Sequence, residues 1–242
     1  VIDLLVVGGG PAGLATAIHA ARAGLETVVV ERREGPVDKA CGEGLMPHAL
    51  HQLRGLGADP PGKPLRGITY VDERHRVTAS FRSGPGRGVR RTWLHASLLE
   101  AAAASGATIV HGQVRGLRQD ATCVRSGQFE ARYLAAADGL HSPIRAELGL
   151  ARPNTGLRRW GIRRHHAMAP WSDCVEVYWS HDGEAYVTPV ADDCVGVAIL
   201  TSRKGGFDER LSSFPALKLR LDGHPHGPDR AAGPLRQCVL AR

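Results

Sequence analysis

Lysine is scarce in this 242-residue sequence, confined to Lys39, Lys63, Lys204 and Lys218, so the formal charge of +7 is carried almost wholly by arginine. The basic residues are scattered rather than gathered into runs and no nucleic-acid motif accompanies them, so no nucleic-acid partner is expected. Attraction to anionic cofactors, acidic substrates or an anionic membrane surface stays open. The cysteines, Cys41, Cys123, Cys174, Cys194 and Cys238, are odd in number and widely spaced. With no CxxC pair and no Cys/His cluster of zinc spacing, neither a disulfide framework nor a structural metal is expected. His165-His166 lies in no HExxH pattern and Ser142 in no GxSxG elbow, which argues against a metal role and against a hydrolase. No basic segment precedes a long apolar stretch at the start, and no run of 18 apolar residues occurs. The expected location is the cytoplasm, with peripheral membrane contact left open. Aromatic residues are few, 5% of the chain. Trp160, Trp171, Trp179 and Tyr186 are candidates for a substrate surface, with core packing the alternative for each.

Hydrophobic residues make up 43% and charged residues 23% of the chain, ordinary values for a globular protein with a real core. Residues 2–7 are apolar at nearly every position, which predicts a central strand covered on both faces. Across 12–23, Leu14, Ala17, Ile18 and Ala21 recur at helical spacing, and Gly24 stands where a C-cap glycine belongs. Residues 25–30 predict a second strand that ends at Glu31, completing a βαβ unit. Between the first strand and the helix, Gly8-Gly9-Gly10-Pro11-Ala12-Gly13 satisfies GxGxxG. Gly8 permits a tight turn, Gly10 lets a pyrophosphate approach the backbone, and Gly13 lets the helix pack close to the strand. Pro11 and Ala12 open the helix, whose exposed amides and dipole favour an anionic diphosphate by about 0.3 to 2 kcal/mol. Glu31 is placed where a carboxylate accepts ribose hydroxyls.

Residues 32–90 are rich in Gly, Pro and charge, and read as a long excursion carrying a hairpin from strand-like pieces at 68–71 and 77–81. A second helix follows, with Leu94, Leu98, Leu99 and Ala102 on one face before Gly106. Strands are predicted at 107–110 and 133–137. Beyond Leu150 the pattern changes to alternation, with antiparallel strands around 175–179, 185–190 and 194–200. Phe207, Leu211 and Phe214 share a helical face before Pro215, and 223–234 reads as loop. The expected fold is therefore α/β: a Rossmann-type domain over 1–150, with its excursion at about 60–90, and a mainly antiparallel β domain over 151–242.

Four segments make the sequence resemble the FAD-dependent oxidoreductases of the p-hydroxybenzoate hydroxylase fold, most closely their geranylgeranyl-reductase-like branch. They are the fingerprint with Glu31-Arg32-Arg33; Lys39-Ala40-Cys41-Gly42-Glu43-Gly44-Leu45; Arg90-Arg91-Thr92-Trp93-Leu94; and Ala137-Asp138-Gly139-Leu140-His141-Ser142-Pro143-Ile144-Arg145. The resemblance implies FAD as cofactor, with Arg32 near the adenosine and Val114 offering its backbone to the adenine. It further implies that Cys41 and Gly42 run beside the flavin ring, that Arg91 contacts the cofactor, and that Asp138-Gly139 lies near its pyrophosphate and ribityl region. Cys41 and Glu43 become candidates for proton delivery. Read from the residues alone, Arg32 is equally a solvated surface charge and Cys41 equally a small buried hydrophobe.

By the same resemblance, NAD(P)H reduces the flavin, which then reduces an isoprenoid or other unsaturated lipid-like small-molecule substrate. The alternatives are aromatic hydroxylation, an NAD(P)-dependent dehydrogenase on the same fingerprint, and an inactive fragment. The last arises because a further Gly-Asp-Ala-x-Gly flavin-contacting segment of the family is not found, so the substrate domain is expected to be C-terminally incomplete. Oligomeric state is left open.

Overall fold

The computed structural model of the chain describes residues 1–152, 156 and 158–235. In order, the first elements are β1 (Ile2–Val7), α1 (Pro11–Arg22), β2 (Thr27–Glu31), β3 (Gly44–Leu45), α2 (Pro47–Gly55), β4 (Lys63–Leu65), β5 (Gly67–Val71), β6 (Arg76–Ser80) and β7 (Gly86–Gly88). Then come α3 (Arg91–Ala104), β8 (Thr108–His111), β9 (Arg118–Gln119), β10 (Val124–Ser126), β11 (Phe129–Ala136) and α4 (Pro143–Glu147). The last are β12 (Arg159–Ala167), β13 (Cys174–Ser180), β14 (Gly183–Ala191), β15 (Cys194–Thr201), α5 (Phe207–Leu211), α6 (Pro215–Leu221) and β16 (Pro225–Leu235).

The chain packs as two compact units. The first takes Val1–Val37, Gln52–Pro60 and the stretch from Thr92 to 152. Its sheet has the order β8-β2-β1-β11-β10-β9. The strands from β8 to β11 pair in parallel, while β10 and β9 continue antiparallel. The near-continuous apolar character of β1 and β2 follows from coverage of both faces. Val6 and Val29 pack with Ala17 of α1 on one side, and Leu5, Val7 and Val30 with Ala131 and Ile144 on the other. Leu14 and Ile18 of α1 meet Leu98, Ala101 and Ala102 of α3. Because the chain continues from β1 to β2 on one side and reaches β11 on the other, the carboxyl end of β1 is a topological switch point, where open α/β sheets bind ligands.

The second unit takes Asp38–His51, Pro61–Arg91 and the described residues from 156 onward. Its seven-stranded sheet runs β16-β12-β15-β14-β13-β5-β6, accompanied by a small sheet β3-β7-β4. All neighbours in the large sheet are antiparallel except β13 and β5. Ile162, Val187, Val197 and Ile199 on one face pack against Phe207, Leu211, Phe214 and Leu217 of α5 and α6.

Several expectations are corrected here. The hairpin forms where predicted, as β5 and β6, but it extends the second sheet, so the linear division at residue 150 gives way to an interleaved one. The predicted loop at 223–234 is the edge strand β16. Its Gly and Pro content is compatible with an edge, where one side of the ladder needs no donors, and its pairing with β12 is interrupted by bulges. The helix expected before Pro215 forms as α5 but stops at Leu211, short of Phe214, and Pro215 opens α6, where a proline at the first helical position loses no hydrogen bond. Cys41, Cys123, Cys174 and Cys194 are free thiols; Cys238 and the rest of the predicted domain from 236 lie outside the described residues. Among the described residues no helix is long and apolar enough to cross a membrane.

Candidate functional site

In the first unit the fingerprint turns from β1 into α1, and its glycines divide into two kinds. Gly8 has φ +104°, and a side chain there would collide with the Ala137 carbonyl; one at Gly13 would collide with the Gly8 carbonyl. These two are required by the chain's own packing. Gly10 is different: its φ of −72° suits any residue, and a Cβ would meet nothing within 4 Å. Internal packing therefore gives no reason for a glycine at that position, whereas close approach of an outside group to the backbone does. Pro11 takes the first helical position, and the amides of Ala12 and Gly13 belong to the first turn, which has no intrahelical acceptors.

Glu31 comes to the same turn. Its Oε2 accepts the Gly9 amide at 2.7 Å and its Oε1 the Arg33 amide at 3.0 Å, leaving lone pairs for hydroxyl donors. Arg32 is exposed, and its carbonyl accepts from His111 Nε2 at 3.0 Å. Val114 lies in the loop after β8 and packs beside the cluster of Leu5, Val7 and Val30. Asp138 and Gly139 follow β11 beside Gly8; Asp138 Oδ2 accepts the Ile144 amide at 3.3 Å. Ser142 Oγ accepts the Arg145 amide at 2.9 Å, and Arg145 Nη2 donates to the Leu140 carbonyl at 2.6 Å. The Asp-Gly-x-x-Ser-x-x-Arg spacing is thus that of a turn capping its own short helix.

The second unit gathers Cys41, Gly42, Glu43 and Arg91. Glu43 has φ +60° and a buried carboxylate. Its Oε1 accepts the Arg91 amide at 2.9 Å and its Oε2 faces His165 Nε2 at 2.7 Å. Gly42 offers its carbonyl to Thr188 Oγ1 at 2.7 Å, and the Cys41 sulfur accepts the Glu43 amide at 3.4 Å. Burial pushes the Cys41 thiol above its ordinary value, and the Glu43 charge adds to this; the Glu43 amide, Arg91 and Arg163 pull the other way. Arg91 Nη1 is buried with no hydrogen-bond partner among the described residues, a donor available to a ligand oxygen. Both Glu43 carboxylate oxygens are thus engaged, one by the Arg91 amide and one by His165.

Five residues were not singled out as site residues in the sequence. His95, on the α3 face that carries Leu98 and Ala102, donates through Nε2 to the Gly9 carbonyl at 2.8 Å; its one signal was a polar residue in an apolar stripe. In the second unit Arg163 is 1% exposed and pairs with Asp38, which also accepts from Arg230 Nε at 3.0 Å. His165 completes that cluster. These partners are far apart in the chain, and no local pattern marks them.

The FAD binding domain family matches residues 1–214. A menaquinone reductase of Mycolicibacterium smegmatis is 37% identical over 118 residues, 49% of this chain and 27% of the relative. Digeranylgeranylglycerophospholipid reductase 1 of Methanothermobacter thermautotrophicus is 26% identical over 93% of this chain and 66% of its own length. This chain thus spans about a quarter of the first relative and about two thirds of the second. A flavoprotein/dehydrogenase of Cytophaga hutchinsonii shares the fold, with a TM-score of 0.82 at 19% identity over 96% of this chain and 66% of that one. By the span of the matched model, the chain belongs to the FAD binding domain family.

Proposed function

We propose that the chain is the cofactor-binding part of an FAD-dependent oxidoreductase that reduces an isoprenoid-bearing, lipid-like substrate, with NAD(P)H as electron donor. The observation that carries the cofactor assignment is Gly10, a glycine that the chain's own packing does not need, at the switch point among the parallel strands of the first sheet and at the start of α1. Its open approach and the first-turn amides suit a diphosphate, and Glu31 suits the adenosine ribose. FAD, when bound, supplies the hydride-transfer chemistry. The chain's own residues fix the cradle's backbone: Glu31 accepts the Gly9 amide and His95 donates to the Gly9 carbonyl, so the peptide groups on both sides of Gly9 are held.

The substrate class rests on the relatives named for menaquinone and for digeranylgeranylglycerophospholipid reduction. Tyr70, Val77 and Trp179 are exposed on the large sheet of the second unit, an apolar surface suited to such a substrate or to peripheral membrane contact. The test is to load the purified chain with FAD, desalt it and record its absorption, then follow NADH and NADPH oxidation without oxygen, with and without a menaquinone. Retained flavin and quinone-dependent oxidation are expected. Flavin lost on desalting would overturn the cofactor assignment; retained flavin whose NAD(P)H oxidation depends on oxygen and an aromatic substrate would replace the reductase reading by a hydroxylase.

A further inference from the structure

We propose that His165 and Gly196 are positioning residues for the 41–44 loop: together they seat the Glu43 carboxylate on the large sheet, and Glu43 so held determines how Cys41 is presented. His165 Nδ1 lies 2.8 Å from Arg163 Nη1 and 3.3 Å from Arg90 Nη2. A guanidinium only donates, so Nδ1 is an acceptor and the ring proton resides on Nε2. That proton is directed at Glu43 Oε2, 2.7 Å away. Two arginines thus set the tautomer that lets His165 hold the carboxylate.

Gly196 supplies the room. It pairs with His165 across β12 and β15, and a Cβ at that position would stand 2.5 Å from Glu43 Oε2. On the next strand Thr188 holds the Gly42 carbonyl. Three adjacent strands, β12, β15 and β14, therefore each contribute one feature that fits the loop. The loop needs them, because a positive φ at a residue other than glycine is strained and persists only where its surroundings over-determine it. It is over-determined by the two carboxylate contacts and by the Glu43 carbonyl, which accepts the Val89 amide at 2.7 Å. Freed of its seat, Glu43 relaxes toward negative φ, and Cys41, whose sulfur is hydrogen-bonded to the Glu43 amide, moves with it. The inference rests on the proposed function in taking this loop as the one that the family resemblance implies runs beside the flavin ring, yet its geometry lies wholly within the second unit.

The test uses the full chain and the rate of Cys41 alkylation by iodoacetamide, read by peptide mass spectrometry, with circular dichroism and melting to establish that each variant is folded. His165→Leu and Gly196→Ala are expected to raise the Cys41 rate about ten-fold, the scale of the strain released, while Cys123, Cys174 and Cys194 stay protected. His165→Gln, whose amide can accept from the guanidiniums and donate to Glu43, is expected to return the rate to within about two-fold of the parent. Nitrogen NMR of histidine-labelled parent protein should show His165 protonated on Nε2 and bare on Nδ1. Unchanged Cys41 labelling in Gly196→Ala, or a proton on Nδ1, overturns the proposal; these two readouts decide it even if His165→Leu does not fold. Flavin retention is recorded in parallel: its loss from the parent would overturn the cofactor assignment and leave the labelling comparison standing.

Discussion

The glycine cradle at residues 8–13 and the loop at 41–44 each hold one residue at positive φ, Gly8 at +104° and Glu43 at +60°, and they do so by opposite means. At Gly8 the conformation costs little because no Cβ exists, and the Val30 carbonyl accepts the Gly8 amide at 2.9 Å. At Glu43 a side chain is present, and the conformation persists because distant residues grip that side chain. The cradle is a backbone device; the loop is a side-chain device held by buried charge. Damage should accordingly spread differently in the two places.

Removing charge from the second unit should have the largest effect. Asp38→Ala would leave Arg163 buried without its carboxylate, and Arg230 would lose the same partner. A loss of about 3 kcal/mol is expected, the scale for breaking a buried pair, read as a fall in the urea midpoint; an unchanged midpoint would show that the cluster is not held by charge. Next comes the cradle's internal glycine: Gly13→Ala places a methyl group into the Gly8 carbonyl, with an expected cost of about 2 kcal/mol in the same assay.

A pH effect separates the units further. His166 is 2% exposed and tilted against Phe207, with ring centroids 5.7 Å apart. Burial, aided by the nearby Arg164 charge, lowers its pKa from 6.5 to about 4. Between these values the unfolded chain binds the extra proton and the folded one does not, so the contribution is complete above about pH 6.5 and lost as pH falls toward 4. Its full size is about 3 kcal/mol. Urea midpoints at pH 7.5 and 4.5 should therefore diverge less in His166→Phe than in the parent; equal divergence would remove His166 as the cause.

Gly10 should show the smallest stability effect and the sharpest functional one. Gly10→Ala meets no neighbour, so stability should change by about 0.5 kcal/mol or less, while flavin retained on desalting falls markedly. Retention equal to the parent would mean that nothing approaches the backbone there.

The glycine fingerprint and Glu31 were legible in the sequence because they lie together in one short, regular βαβ unit. Alternation and apolar runs likewise marked β13, β14 and β15. The strand β16 was not legible, since its Gly and Pro residues carry a loop signal that pairing with β12 overrides. His95 and the Arg163, Asp38 and Arg230 cluster were not legible either, because their meaning lies in partners many residues away.

By itself the sequence determined the βαβ unit, the positions of Gly8, Gly10, Gly13 and Glu31, and the family to which those residues point, since short-range sterics and hydrophobic periodicity act within a few residues. Only the tertiary structure decided which glycine is free of internal duty, that the 60–90 excursion joins the second sheet, and that Glu43 is held by His165 and Gly196. Those outcomes depend on which strands become neighbours, and hydrogen bonds and buried charges between residues remote in the chain exist only after that pairing is made.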